Sequence, residues 1–414
     1  MTIFISIAAY RDPELVPTIE NCIARARWPE DLRFGVCWQH GEGEPAPPRL
    51  DRGRMRLLDV PWQASRGACW ARAECMKLWD GEEYFFQLDS HHRFVQDWDA
   101  VLLDQMARSG AAKPVMSAYV PAYDPAVPTP ETEPPTVMRF DRFTPEGIAL
   151  FQFGAIPGWE QRRAPMRARF VSGHFLFAPG SFVADVPYDP DLYFIGEEIT
   201  LAIRAFTHGY DLFHPDKHVA WHEYTRKLRP KHWDDHLQDR GVEMPWHSRD
   251  AVSLAKVKRF LAHPEVGPFG CGSVRSFADY ETYSGLDFGR RFASRAARRG
   301  DEPVPVCPLV PDPVWTVRVA LDPEALEPDA LDNPLFWYVG FHDANGVEIA
   351  RDDAGRAELI DLIHGRSGPI LIERQFASAR PPASWTVWPT DRRGRWLGKI
   401  ERAVDAAGLM QEHA

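Results

Sequence analysis

The sequence predicts an α/β fold with a mainly parallel central sheet, followed by a smaller β-rich region at the C-terminal end. Two observations support this prediction. Over roughly the first 290 residues, short and almost continuously apolar segments alternate with segments whose apolar residues recur every three to four positions. Strands that are apolar throughout are typical of a parallel sheet that helices cover on both faces. Beyond about residue 298, segments rich in Val, Ile, Trp and Phe are separated by Pro, Gly and Asp turns, as in β structure.

The first half of the α/β region predicts the order strand, helix, strand, strand, helix, strand. The segments are, in that order, TIFISIAAY, ELVPTIENCIARA, DLRFGVCWQ, RMRLLDVPW, GACWARAECMKLWDG and EYFFQLD. In the first helix, Leu15, Ile19 and Ile23 recur every four residues. Gly81 follows the second helix and is predicted as its C-cap.

The second half of this region continues the alternation. A helix from about Asp97 to Met106 precedes the strand PVMSAYVPAY, and a loop at residues 121–145 with seven prolines is either a linker or a functional lid. The helix EEITLAIRAFTHG is predicted to end before Gly209. The other predicted segments are the strands GIALFQFGAI and RARFVSGHFLFAP, the extended DLFHPDKHVAWHEYTR and the helical RDAVSLAKVKRFL.

A domain boundary is predicted near residue 298. The segment FASRAARRGDEPVPVCP is rich in charge, Gly and Pro, which is typical of a linker. We therefore expect one domain at residues 1–298 and a β-rich accessory domain at residues 299–414.

The composition narrows the classes of function. The chain has 414 residues, of which 44% are hydrophobic, enough for sizeable cores. Its 48 Lys and Arg against 59 Asp and Glu give a net charge of −11, which argues against a general binder of nucleic acids or anionic membranes.

The sequence also lacks the patterns of a secreted or membrane protein. Its start becomes polar within ten residues and has no basic segment, so we expect no signal peptide. No window approaches about 18 consecutive apolar residues, so we expect no transmembrane helix. The six cysteines form no CxxC pair, which favours reduced thiols and a cytoplasmic location.

Polar side chains follow the strand EYFFQLD, and they predict a metal site. Asp89 and His91 are separated by one residue, and positions i and i+2 of an extended chain point to the same side. A carboxylate and an imidazole suit Mn²⁺, Mg²⁺ or Zn²⁺, and completion by phosphate and water oxygens favours Mn²⁺ or Mg²⁺. The alternative is a helix N-cap with surface histidines nearby.

A later extended segment offers a third ligand. In AWHEYTR, the residues His222, Tyr224 and Arg226 alternate, so they share one face. His222 is therefore a candidate ligand of the same ion. The alternative is a histidine on the surface or one satisfied within the core.

Charged residues elsewhere suggest how a substrate would be held. Arg66 and Arg72 flank Gly67 at a predicted helix start, where they would hold an anionic nucleotide; the alternative is a pair of solvated helix arginines. Glu197 and Glu198 begin another helix and would hold hydroxyls of a donor sugar or of an acceptor. The alternative for these two is ordinary first-turn acids that interact with the helix dipole.

The order of several motifs resembles a known family of enzymes. The motifs are ISIAAYRDPEL, SRGACWAR, FFQLDSHHRF, SGHFLFAPGSF, FIGEEITLAIRAFTHGYDLFHP, WHEYTR and FGCGSVRSFADYETYSGLDF. Together they resemble the GlcNAc-transferase family related to the enzyme that modifies hydroxyproline on the Skp1 protein. They are more distantly similar to the polypeptide GalNAc-transferases. The resemblance covers roughly residues 1–290, and the C-terminal region has no counterpart in it.

The resemblance implies a GT-A fold, a UDP-GlcNAc donor and a divalent metal held by Asp89, His91 and His222. It also implies transfer with retention of anomeric configuration to a hydroxyl acceptor, with a protein or peptide among the candidates. Further implied donor-binding residues are Ala8, Tyr10, Arg11, Ser90 and Gly173. His247 and Arg249, in the segment WHSR, are expected on a mobile loop over the diphosphate, the alternative being a simple exposed loop.

The chemistry of the residues agrees with this implied function. Glycosyl transfer passes through an oxocarbenium-like state, and the leaving diphosphate needs charge neutralisation, which a metal and arginines supply. One alternative is a metal-dependent phosphoesterase or nucleotidyltransferase, which usually needs more carboxylates than Asp89 alone. The other is a non-catalytic sugar- or protein-binding module. Its platform would be Trp315, Trp337, Tyr338, Trp385 and Trp388, unless these aromatics fill a β core.

Overall fold

The computed structural model describes residues 1–50, 53–130, 132–225, 227, 229–238, 240–303, 313–332, 334–363, 368–405 and 409–412. The chain separates into two compact units. The first contains Met1–Asp141, Ile148–Ser284 and Ala296–Cys307, and the second contains Arg142–Gly147, Gly285–Arg295 and Pro308–Ala414.

The first unit consists of alternating strands and helices. Strands β1 to β12 span Ile3–Tyr10, Leu32–His40, Met55–Pro61, Tyr84–Asp89, His92–Phe94, Pro114–Ser117, Thr136–Phe143, Ala149–Ala155, Met166–Arg167, Phe175–Pro179, Asp211–His214 and Ala220–His222. Helices α1 to α9 span Leu15–Arg25, Ala68–Met76, Trp98–Arg108, Phe182–Asp185, Glu197–Thr207, His232–Asp235, Trp246–Ala262, Phe277–Ser284 and Arg295–Arg299. No helix among the described residues is long and apolar enough to cross a bilayer.

An eight-stranded sheet forms the centre of this unit, in the order β3-β2-β1-β4-β10-β6-β11-β9. The four neighbours β3, β2, β1 and β4 run parallel to one another, as do β6 and β11. Strand β10 is antiparallel to its neighbours β4 and β6, and β9 is antiparallel to β11. The predicted mainly parallel sheet is therefore confirmed. A separate antiparallel pair, β5 with β12, aligns His222 with His92.

The core lies against this sheet because its strands are apolar almost throughout. Phe86 at the centre of β4 is fully buried. Its ring centroid lies 5.2 to 6.3 Å from four other rings, those of Phe94, Trp98, Phe175 and Phe177. Strand β4 is thus anchored by aromatic packing along its length, which fixes the position of Asp89 at its end.

Two local predictions are wrong. Helix α2 ends at Met76, well before Gly81, because the amides of residues 77–79 bond to carbonyls three residues back and tighten the chain into turns. The Pro-rich loop is shorter than predicted, since β7 begins at Thr136, directly after the last of its consecutive prolines. By contrast, α5 ends at Thr207, and Gly209 follows with a φ of 89°, as expected for a C-terminal cap.

The second unit is rich in β structure, as predicted. Strands β13 to β22 span Leu286–Asp287, Phe292–Ala293, Val314–Leu321, Pro334–His342, Glu348–Arg351, Ala354–Gly355, Ile370–Ala377, Ser384–Asp391, Ile400–Ala403 and Leu409–Glu412, and helices α10 and α11 span Pro328–Asp332 and Arg356–Ile363. They form a three-stranded sheet, β19-β15-β22, and a five-stranded sheet around β16 and β20. Trp315, Trp337 and Trp385 are buried in this unit, whereas Trp388 is 36% exposed.

We expect Phe86→Ala to destabilise the chain by about 3 to 5 kcal/mol, because it removes a large buried ring and leaves a cavity. Chemical denaturation of the parent and the variant measures this difference. Leu57→Ala is the matched control, since Leu57 is 39% exposed on β3 and its loss should cost less than about 1 kcal/mol. Equal costs for the two variants would show that β4 is not the centre of the core.

Candidate active site

A cleft opens at the carboxyl ends of the parallel strands β1, β2 and β4. The register places Ala8 of β1 beside Asp89 of β4, so the polar residues that end these strands meet at one edge. The residues that line the cleft are Ala8, Tyr10, Asp12, Gln39, Gly67, Ala68, Arg72, Asp89, Ser90, His91, Tyr193, Phe194, Arg229, Pro230, Lys231, His232 and Trp233. Ligands of open parallel sheets bind at this edge.

Asp89 and His91, which line the cleft, converge with His222, which is buried and does not line it. Asp89 Oδ2 lies 3.6 Å from His91 Nε2 and 3.4 Å from His222 Nε2. The three ligand atoms lie within 4.8 Å of one another, as a shared metal ion requires. His222 reaches this position because β12 pairs with β5, which begins one residue after His91.

The protonation states of this group suit a divalent cation. Burial alone would raise the pKa of Asp89, but the guanidinium of Arg72 and the neighbouring imidazoles hold that pKa well below its ordinary value. Burial lowers the pKa of His222 well below its ordinary value. The carboxylate is therefore ionised and this imidazole is neutral with a lone pair, the two states in which such groups bind metal.

Asp12 orients His91, and the sequence analysis missed it. Its Oδ2 lies 2.7 Å from His91 Nδ1 and also accepts a hydrogen bond of 2.7 Å from the Ser90 hydroxyl. This contact places the His91 proton on Nδ1 and leaves Nε2 directed toward Asp89 and His222. Asp12 follows β1, so its position after a parallel strand was the signal that would have identified it.

Arg229 is a second residue that the sequence analysis missed. Its Nη2 lies 3.0 Å from His91 Nε2, and its Nη1 lies 2.8 Å from Glu223 and 3.5 Å from Asp12. The guanidinium thus donates to the same lone pair that a metal ion would use. No sequence pattern singles it out, because it lies on an irregular segment far from Asp89 in sequence.

Arg72 joins two of the predicted site residues. It lines the cleft and is buried, with Nη2 2.7 Å from Asp89 Oδ1 and Nη1 hydrogen-bonded to Glu197. Glu197 also accepts a 2.7 Å hydrogen bond from the Tyr188 hydroxyl. The alternative of a solvated helix arginine is therefore wrong for Arg72.

Glu198 has a different environment from Glu197. It accepts a 2.8 Å hydrogen bond from the Gly173 amide and another from the Tyr119 hydroxyl. Burial raises the pKa of Glu198 to about 7. Gly173 also lies against Glu197 and Arg72, since a Cβ at this position would approach Glu197 Oε1 to 2.5 Å and Arg72 Nη1 to 2.9 Å.

Other predicted site residues are held by internal contacts, and of the described ones that follow only Tyr10 lines the cleft. The Tyr10 hydroxyl donates to Asp235 over 2.9 Å, and Arg11 bonds to Asp235 over 2.9 Å and to Glu44 over 2.8 Å. The Tyr224 hydroxyl donates to the Val120 carbonyl over 2.7 Å. Arg226 lies outside the described residues.

The structure places Arg66, His247 and Arg249 outside the residues that line the cleft. Arg66 is half exposed and lies 3.2 Å from Glu243, which also lies 3.4 Å from Arg249. The expectation of a mobile loop at residues 246–249 is wrong, because Trp246 begins the 17-residue helix α7 directly after Pro245. Proline before the first helical residue and the apolar spacing of the following turns account for this earlier start.

We expect Asp12→Asn to lower the affinity for Mn²⁺ by about 10- to 100-fold, because His91 loses the acceptor that fixes its orientation. Calorimetric titration of the full chain with Mn²⁺ measures this affinity. Asp80→Asn is the control, since this exposed carboxylate precedes the opposite end of β4. Unchanged affinity in Asp12→Asn would contradict the role assigned to Asp12.

We expect Glu198→Gln to change how stability depends on pH. The folded chain keeps the Glu198 proton up to about pH 7, whereas an unfolded glutamate loses it near 4.5. As pH rises between these values, the parent should lose up to about 3 kcal/mol of unfolding free energy relative to the variant, with no further loss above pH 7. Chemical denaturation from pH 5 to pH 8 tests this, with the exposed Glu20→Gln as the control. A constant difference over that range would refute the raised pKa.

Comparison with solved structures finds distant similarities to two transferases. GalNAc-T7, solved with UDP, GalNAc and Mn²⁺, is 14% identical, and the alignment covers 70% of this chain and 52% of that chain with a TM-score of 0.44. The chain thus spans about half the length of GalNAc-T7. Residues 1–349 of TarS from S. aureus, solved with UDP-GlcNAc, are 12% identical, with coverage of 63% and 73% and a TM-score of 0.33. Another TarS structure from S. aureus is 8% identical, with coverage of 98% and 77% and a TM-score of 0.35.

The family match is more extensive. No curated protein sequence matches the chain. The profile of the glycosyltransferase (GlcNAc) family, however, matches residues 2–52 and 46–290, well over half of the chain. The predicted α/β domain with a mainly parallel central sheet and a C-terminal β-rich region is confirmed by the structure. The chain therefore belongs to the glycosyltransferase (GlcNAc) family.

Proposed function

We propose that the chain is a metal-dependent glycosyltransferase that moves GlcNAc from UDP-GlcNAc to a hydroxyl acceptor with retention of anomeric configuration. The observation that carries this proposal is the convergence of Asp89, His91 and His222 at the carboxyl ends of parallel strands. The family match supports GlcNAc as the transferred sugar. The resemblance of the motifs to the Skp1-modifying family supports retention and a protein or peptide acceptor.

The residues of this group fit a divalent cation. One ionised carboxylate and two imidazoles, one of them oriented by Asp12, offer three ligands and leave room for phosphate and water oxygens, a set that suits Mn²⁺ or Mg²⁺. When bound, such an ion would neutralise negative charge on the leaving diphosphate. Asp89, His91 and His222 would hold it.

The chain's own residues supply the remaining contacts to the donor. Arg229 and Lys231 bring cationic side chains to the cleft beside His91, where a diphosphate would lie. Tyr193, Phe194 and Trp233 offer aromatic faces in the same cleft for the uracil ring.

We also propose roles for the two acidic residues of α5. Glu197 positions Arg72, and through it Asp89, because its carboxylate is already engaged by Arg72 and Tyr188. Glu198 would hold a sugar or acceptor hydroxyl in exchange for the hydrogen bond that it now accepts from the Tyr119 hydroxyl, because a carboxyl group with a pKa of about 7 both accepts and donates hydrogen bonds near neutral pH. Ala8 and Ser90, which line the cleft, would contact the donor.

We propose that residues 1–298 carry the chemistry and that residues 299–414 form an accessory domain for acceptor choice. In the part of the chain that the structure describes, the Asp89 group is the only cluster of three potential metal ligands, and it lies in the first region. The described cysteines are all buried and unpaired, which supports a reducing, cytoplasmic location.

A donor assay on the full chain tests the proposed function. Purified protein is incubated with Mn²⁺ and each common UDP-sugar, and the nucleotide product is identified. A transferase slowly releases UDP, with UDP-GlcNAc preferred. Release of UMP would indicate a phosphoesterase or nucleotidyltransferase, and the absence of turnover would indicate a binding protein. NMR of a transferred sugar determines whether the configuration is retained.

We expect His222→Ala and Asp89→Asn each to lower UDP release by at least about 100-fold, because each removes a ligand of the proposed metal ion. The control is His342→Ala, since His342 lies on β16 of the β-rich unit. Full activity of His222→Ala with Mn²⁺ would refute the metal assignment while leaving the transferase assignment to the donor assay.

A further inference from the structure

A second cavity lies beside helix α5 and shares no lining residue with the active-site cleft. Helix α7 and residues 265–270 form its other walls. Nothing in the proposed transfer reaction uses this cavity. Its most unusual feature is a buried arginine, Arg204, from the last turn of α5.

Arg204 is a buried cation without an anionic partner. Its side chain is 3% exposed, its Nη2 donates to the Pro268 carbonyl over 2.8 Å, and its Nε has no hydrogen-bond partner. No carboxylate of the described residues lies within the 4.0 Å of an ion pair with it. Burial lowers the pKa of Arg204 to about 10, so the group is still charged at neutral pH. A buried charge that lacks a counter-ion is costly for the fold.

Of the three other buried arginines among the described residues, two have carboxylate partners, and the third, Arg169, bonds to the Asp301 carbonyl. Arg72 pairs with Glu197, which lies on α5 two turns before Arg204. Arg374 pairs with Glu358 over 2.8 Å. Asp189, the carboxylate of the cavity wall whose charge acts on Arg204, is bonded to Lys256 over 2.7 Å. The charge of Arg204 is therefore left for something that enters the cavity.

The rest of the cavity wall indicates what would enter. Lys256 and Arg259 of α7 and His263, which directly follows α7, line the cavity together with the aromatic side chains of Phe260 and Phe269. Of the permanently charged lining residues, three are cations, Arg204, Lys256 and Arg259, and two are carboxylates, Asp189 and Glu265. Cationic and aromatic groups together suit an anion that is attached to a ring or an apolar group.

We propose that this cavity binds a small organic anion, an aromatic or apolar group that bears a phosphate or a carboxylate, with Arg204 as the principal partner of its charge. The site is separate from the UDP-sugar site and does not depend on the proposed transfer reaction.

Titration of the full chain with phenyl phosphate, benzoate and inorganic phosphate, followed by calorimetry and ligand-observed NMR, tests the proposal. We expect at least one of the two aromatic anions to bind saturably and more tightly than inorganic phosphate. Preference for phenyl phosphate identifies a phosphate ligand, and preference for benzoate identifies a carboxylate. The absence of binding by both would overturn the proposal, as would displacement of the probe by UDP with Mn²⁺.

Arg204→Met should lower the affinity for the probe that binds by at least about tenfold, because a charged hydrogen bond is lost. The matched control is Arg169→Met, because Arg169 is also buried and bonds to a backbone carbonyl, that of Asp301, but does not line the cavity. If Arg204→Met fails to fold, Arg259→Glu at the exposed rim should still weaken binding by at least about threefold. Unchanged affinity in the folded variant, or an equal loss in Arg169→Met, would overturn the assignment.

Discussion

The ion pairs of Arg72 connect the elements on which the active-site cleft depends. Arg72 comes from α2, Asp89 from the end of β4 and Glu197 from the start of α5. The side chains of Arg72 and Glu197 are buried, and that of Asp89, at the cleft, is 21% exposed. Breaking such a buried network leaves an uncompensated charge, which typically costs about 3 to 5 kcal/mol. The contact between Arg72 and Asp89 also keeps the Asp89 carboxylate ionised. One interaction therefore both stabilises the fold around the cleft and maintains the charge state that a metal ion would need.

The candidate metal-binding group is built from segments that are distant in sequence. Asp89 and His91 come from one strand end, His222 from a strand that pairs beside it, and Asp12 from the loop after β1. Each of these residues ends or follows an apolar strand. The burial of those strands in the core offsets the free-energy cost of bringing four polar side chains together. Hydrogen bonds within the group then determine which imidazole atoms face inward.

Strands such as β1 and β4 could be predicted from the sequence because continuous burial leaves a continuous apolar pattern, and Asp89 and His91 could be found because they end such a strand. The early end of α2 could not be predicted, because the sequence from Lys77 to Asp80 is compatible with a helix and only local hydrogen bonding tightens it into turns. Arg229 was also beyond prediction, because its role arises from tertiary proximity to His91 and from no local pattern. Glu197 and Glu198 were located together, but only their neighbours distinguish them.

The contact between Arg229 and His91 has a thermodynamic consequence. Because the guanidinium and a divalent ion would compete for one lone pair, the metal affinity of the proposed site would include the free energy of releasing Arg229. Once released, this cation is free to meet a diphosphate in the same cleft. Donor binding would then recover part of the cost of metal binding, and by reciprocity each ligand would raise the affinity for the other. Under the proposed function, Arg229 would thereby make the binding of metal and nucleotide cooperative, which would favour a cleft that holds both or neither.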